Sequence, residues 1–230
     1  MVVPTLSTQR ATYGIYRDSQ MRLVLVGGYL SDTMSTEPGA IGVPSAAARS
    51  PIGQRMGSGS RRLWVQVDCH AIAELASGRA RLARDSDRPL FIRIARSLLR
   101  LHHLGWLPAT DTSDLVVWTP RDYNNQADHA ANAALDAGAE VCWTDWPAIQ
   151  TALWRGDALR LCVDGGLRST GAGAMGMTLL AARRSPEGKA CEYRALVRRG
   201  SLLRSAESAF HTEALAIEWA PQHLISIVSP

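Results

Sequence analysis

Long hydrophobic runs are missing from this sequence, and so is any close pairing of cysteines. No apolar stretch approaches the roughly 20 residues that cross a bilayer, so no membrane-spanning helix and no membrane partner are expected. The opening residues, MVVPTLSTQR, have neither the basic start nor the apolar stretch of a secretory leader. Cys69, Cys142, Cys162 and Cys191 stand far apart with no C-x-x-C pair, which argues against a disulfide framework or a zinc site. An intracellular setting, cytoplasmic or nuclear, is the expectation. Lysine is scarce beside arginine, although the net charge is +4 and the isoelectric point about 9.1. Arginine donates two hydrogen bonds at once to a phosphate, so this balance suits nucleic acid without demanding it.

The composition that remains builds a core. Of 230 residues, 46% are hydrophobic and 20% charged, enough for one packed domain with an arm to spare. Residues 33–60 are rich in Gly, Pro, Ser and Ala and have no sustained apolar period, the chemistry of a linker. Residues 11–30, with YGIY and LVLVGGYL flanking RDSQ, read as a short hairpin that would be marginal alone. Residues 1–60 are therefore expected to form a poorly ordered arm, and residues 61–230 the domain.

Within that domain, residues 63–67 (LWVQV) are a short strand that ends in Asp68. Residues 90–104 follow as a helix with Phe91, Ile94, Leu98 and Leu101 on one face and Arg93, Arg96 and Arg100 along another. The three arginines are candidates for contact with a nucleic-acid backbone, a solvated face being the competing reading. Residues 115–118 (LVVW) form a second strand, stopped at Thr119-Pro120. Asn124 or Asn125 then caps an alanine-rich helix that runs through Leu135 and ends at Gly138. Trp143, Trp146 and Trp154 suggest that the connector 139–158 packs rather than floats. Residues 159–163 (LRLCV) are a third strand ending in Asp164-Gly165-Gly166, and residues 173–181 and 191–197 are two more, joined by a turn. Ser205 or Ser208 caps a last helix reaching about Trp219, which Pro221 helps to close. The expectation is an α/β fold of five strands and three or four helices.

Four acids stand out. Asp68 and Asp164 each follow a strand-like run; if those strands are parallel neighbours, both carboxylates emerge at one edge of the sheet. Glu213 shares a helix face with Phe210, Ala214 and Ile217, where an ionised carboxylate is costly unless a cation or hydrogen bonds meet it. Asp128 lies in the first turn of the alanine-rich helix, where the helix dipole also favours it. Such a cluster suits Mg²⁺ or Mn²⁺, since no histidine or cysteine group competes for a softer ion. Two such ions can activate a water and stabilise a leaving oxygen in phosphodiester cleavage.

The segments LCVDGGLRSTGAGAMGMTLLAA and SAFHTEALAIEWA resemble the first half of a ribonuclease H domain. LWVQVDCHAIAEL and VVWTPRDYNNQADHAANAALDAG resemble its second half, closest to the retroelement and plant type with its P-R-x-x-N-x-x-A-D pattern, here Pro120, Arg121, Asn124, Ala127 and Asp128. The resemblance covers residues 61–138 and 159–220. It implies a five-stranded mixed sheet flanked by helices, with Asp164, Glu213, Asp68 and Asp128 as the metal-binding, catalytic tetrad for two Mg²⁺ or Mn²⁺ ions. Gly165, Gly166, Arg121 and Asn124 are taken with them as candidate nucleic-acid contacts. The implied activity is metal-dependent cleavage of the RNA strand of an RNA/DNA hybrid by an endonuclease of retroelement descent. The alternative is an inactive nucleic-acid-binding remnant.

Two departures from the family pattern are plain in the residues. The halves stand in reversed order, as in a circular permutation joined through residues 139–158, or as in a fragment of a tandem array whose chains exchange halves in a homodimer. The loop before Asp128 also lacks the histidine of many cellular ribonucleases H and carries Arg121 and Tyr123 instead. His129 and His211, beside two of the acids, read as structural.

Overall fold

The computed structural model describes residues 11–17, 23–29, 61–108, 114–184 and 191–228. Strands β1 (Ala11–Arg17) and β2 (Leu23–Tyr29) pair antiparallel as a separate two-stranded sheet. Residues 30–60, read above as a linker, lie outside the described residues.

The main sheet starts with β3 (Arg61–Val67), where Leu63, Val65 and Val67 are fully buried on one face. Helices α1 (His70–Ala76) and α2 (Arg88–His103) follow, then the short strands β4 (Trp106–Pro108) and β5 (Val116–Trp118). Helix α3 (Asn125–Ala137) ends at Gly138, whose φ of 59° is the left-handed conformation that stops a helix. Strand β6 (Val141–Thr144) and α4 (Trp146–Arg155) lead to the meander β7 (Ala158–Leu167), β8 (Gly173–Arg184) and β9 (Cys191–Leu203). Helix α5 (Ala209–Val228) closes the chain, with the Ser208 hydroxyl accepting from the His211 amide at its start.

The strand order is β4-β3-β7-β8-β9-β6, with β5 pairing β3 on the stretch beyond β4. Strand β3 runs parallel to β4, β5 and β7, whereas β7, β8, β9 and β6 alternate in direction, so the sheet is mixed. One face packs α1, α2, α4 and α5 over the large apolar core. Helix α3 covers the other face with small residues: Ala131 and Ala134 meet Ala174, and Ala127 meets Cys162 and Leu180. That face is closed by close approach. A Cβ at Gly176 would stand 2.1 Å from the Ala127 carbonyl oxygen, and one at Gly200 would stand 2.1 Å from that of Ala130. The two glycines are partners across β8 and β9. Among the described residues no helix is long and apolar enough to cross a membrane.

Several expectations are corrected. The sheet has seven strands rather than five, because β4 and β6 exist through pairing that three or four residues cannot announce. Helices α1 and α4 are additional. The connector does pack, but through Ala148, Ile149 and Ala152; Trp143, Trp146 and Trp154 are all exposed. Strand β7 does not stop before Asp164 but continues to Leu167, held by β8 through Leu167↔Gly173. Pro221 lies inside α5 rather than closing it. Losing one helical hydrogen bond and straining the turn costs about 3 kcal/mol. Burial of Leu224, Ile225 and Val228 beyond it offsets that, at roughly 1.5–3 kcal/mol each.

Candidate metal centre

Register brings two of the acids together. Strands β3 and β7 pair from Leu63↔Leu159 to Gln66↔Cys162, an offset of 96 residues that places Asp68 level with Asp164 just beyond. The strands are parallel neighbours, the condition under which the sequence placed both carboxylates at one edge. Glu213 arrives from the first turns of α5, which packs on β7 and β8. Its approach depends on Gly165: a Cβ there would stand 2.4 Å from the Glu213 amide nitrogen and from the Thr212 carbonyl carbon. The bare backbone also lets the Gly165 N–H donate to Glu213 Oε2 at 3.2 Å. One carboxylate oxygen from each of Asp68, Asp164 and Glu213 lies within 4.8 Å of the others, an arrangement that can hold a metal ion.

The electrostatics are those of a site short of positive charge. Asp164 is 3% exposed, and Oδ1 of Asp68 is buried with no hydrogen-bond partner. Burial pushes the Asp164 carboxyl up to about 7, helped by the charges of Asp68 and Asp128. Glu213 is pushed up to about 9, first by burial and then by Asp164 and Asp68, against the opposing pull of the Gly165 amide. Hard oxygen donors, crowded and deprived of water, fit a hard divalent cation better than a soft one.

Asp128 stands beside this group and is not one of the three. Its oxygens accept from Arg121 Nη2 at 3.0 Å and from Asn132 Nδ2 at 3.1 Å. The Arg121 guanidinium also reaches Oδ2 of Asp68 at 4.0 Å, so it spans Asp68 and Asp128. Those carboxylates hold Arg121 more firmly protonated than usual.

The other candidates divide. Asn124 is 1% exposed and stands at the N-cap position of α3, but its side chain makes no capping bond; its Nδ2 donates instead to the Val163 carbonyl at 2.8 Å and ties the start of α3 to β7. Gly165 serves the approach of α5, whereas a Cβ at Gly166 would meet Leu135 Cδ1 at an ordinary 3.5 Å. Arg93 is engaged with Glu218 of α5 at 2.7 Å, and Arg96 and Arg100 lie exposed on α2. Nothing ties these three to the carboxylates among the described residues. His211 sits near Glu207, and His129 is exposed on α3.

Residues not singled out in the sequence also border the centre. The Trp118 indole donates to the Asp68 carbonyl at 3.0 Å, and its ring meets His70 edge-on at 5.6 Å. Trp118 is exposed. The position of Trp118, the last residue of β5 and directly before Thr119-Pro120, was the available signal. Comparison of the chain with protein-family models, curated proteins and solved structures finds no match.

Proposed function

We propose that this chain is a metal-dependent endonuclease of the ribonuclease H-like type, with the two halves of the fold in permuted order, acting on the RNA strand of RNA/DNA hybrids. The observation that carries the reading is the convergence of Asp68, Asp164 and Glu213 within 4.8 Å, with an orphaned, buried Oδ1 on Asp68. The topology supports it. Read from β7 through α5 and then from β3 through α3, the chain offers an acid-bearing strand, its antiparallel partners, a glutamate helix, a second acid-bearing strand and a closing helix. That is the order the resemblance to ribonuclease H implies. Residues 139–158, the join of the permutation, supply β6 and α4.

Asp68, Asp164 and Glu213 would hold Mg²⁺ or Mn²⁺, with Asp128 nearby once Arg121 moves aside. Bound there, two divalent ions supply activation of a water for in-line attack and stabilisation of the departing oxygen. The protein's own contribution is positioning. Gly165 holds Glu213 by its amide, Asn124 fixes α3 and with it Asp128, and the parallel register sets Asp68 against Asp164. Arg121 is exposed and cationic, suited to a phosphate once released from its carboxylates.

The test is cleavage of a labelled RNA/DNA hybrid with magnesium or manganese, beside Asp164→Asn and Asp68→Asn. Loss of about 10³-fold or more in either variant is expected for ligands that act as a unit. A folded wild-type chain that binds hybrid without cutting it, whichever ion is supplied, would instead favour the inactive nucleic-acid-binding reading.

A further inference from the structure

On the far flank of α3 from the carboxylates, a cleft of about 370 Å³ opens between that helix and the β6–β9 edge of the sheet. Its lining includes Gln126, His129, Trp143, Arg198 and Arg199, and no acid. Ala130 and Ala133 share its α3 wall with Gln126 and His129. Trp143 and Arg198 are cross-strand partners, with the guanidinium 6.0 Å from the indole centroid. Trp143 is 49% exposed. Arg199 is tied to Glu140 and to His223, but Arg198 has no carboxylate partner among the described residues. Oε1 of Gln126 is buried without a hydrogen-bond partner.

These features ask for one kind of ligand. An exposed indole with the Arg198 guanidinium over its ring, free of any carboxylate among the described residues, offers a stacking face and an anion contact side by side. The side-chain amide of Gln126 can complete its hydrogen bonding on a polar ring edge. The volume lies at the low end of the roughly 300–1,000 Å³ of small-molecule sites, room for one planar group and its phosphate rather than for a duplex. We propose that this cleft binds one unpaired nucleotide of a nucleic-acid strand, its base against Trp143 and its phosphate on Arg198. Gln126 and Asp128 lie two residues apart in α3, so a strand held at the carboxylates reaches the cleft by crossing one helix width, roughly 10 Å. The cleft is bounded by β6, within the segment that joins the two halves of the chain. The strand as the source of the nucleotide rests on the nuclease reading; the stacking site itself does not.

The experiment is the affinity of a fluorescein-labelled 12-mer, single-stranded RNA or DNA, followed by anisotropy in EDTA so that no metal contributes. Trp143→Ala is expected to weaken binding about tenfold, the order of one base–aromatic stack. Arg198→Gln is expected to weaken it and to lower the slope against log salt by about one. Trp154→Ala removes a more exposed indole, 74% exposed on α4 and outside the cleft, and should leave affinity unchanged. All three positions are at the surface, and thermal melts of the variants should match the wild type. Asp164→Asn should keep oligonucleotide affinity while abolishing hybrid cleavage, which separates failure of this proposal from failure of the nuclease reading. Equal affinities for wild type and Trp143→Ala, or an equal loss in Trp154→Ala, would overturn the cleft. Competition by free AMP at the same phosphate concentration as the 12-mer would overturn the strand as the natural source.

Discussion

Glu213 and Asp164 bind protons more tightly in the folded chain than an exposed carboxylate does, and this has a direction in pH. Because their folded values are raised, stability falls as pH rises from the ordinary carboxylate range near 4, through about 7 for Asp164 and about 9 for Glu213. The metal-free protein should therefore melt several degrees higher at pH 5 than at pH 8, and added manganese should recover the difference at pH 8 only. A flat melting profile between those values, unaffected by manganese, would contradict the site. Arg121 partly offsets the charge at Asp164. With Arg121→Gln the metal-free protein should lose about 1 kcal/mol or less, as expected of an exposed ion pair, while its gain in melting temperature with manganese becomes larger than that of the wild type. Asp68 and Asp164 were legible in the sequence because each follows an apolar run, and Glu213 because a charge on an apolar stripe needs an explanation. The role of Asn124 was not legible. Burial of its amide against Val163 depends on β7 and α3 meeting across 39 residues, which no local pattern records.

At the scale of elements, the seat of α3 rests on two missing side chains. Gly176→Ala or Gly200→Ala would drive a methyl into the α3 backbone. Overpacking of this kind costs about 1–3 kcal/mol, and backbone, unlike a flexible side chain, yields little. Both variants should melt lower and hold metal more weakly, since Asp128 rides on the displaced helix. Gly166→Ala, with only ordinary contacts to meet, should melt close to the wild type, while its neighbour Gly165→Ala should displace Glu213 and lose metal affinity. A thermal series over these four variants reads the distinction directly. The sequence marked the glycines but assigned Gly165 and Gly166 alike to ligand contact; which one a helix leans on appears only when α5 is in place. Long elements with clear periods, such as α2, α3 and β7, were legible to within a few residues. Strands β4 and β6 were not, because edge strands of three or four residues are made by their partners rather than by their own sequence. Nor was the passage of α5 through Pro221, which the apolar residues beyond it decide.

For the whole molecule, the parallel register of β3 on β7 can be completed within one chain. Sedimentation equilibrium should give a mass near 24.9 kDa. Asp164→Asn and Asp68→Asn, unfolded and refolded together, should recover no hybrid cleavage; an exchanged dimer would regain an intact site in mixed pairs, and its appearance would sink the single-chain arrangement. The α/β class was legible from the count of apolar runs, but the reversed halves leave monomer and exchanged dimer equally open in the sequence, and the mixed-refolding experiment decides between them. The same 96-residue separation between paired residues governs how the chain comes to be folded. Strands β7, β8 and β9 follow one another and find each other locally, yet β3 is synthesised well before its central neighbour exists. At about 5–20 residues per second, that wait on the ribosome is on the order of 5–20 s. Through it, one side of a strand carrying Leu63, Val65 and Val67 stands without a mate, and the nascent chain in that interval is the form most in need of a chaperone.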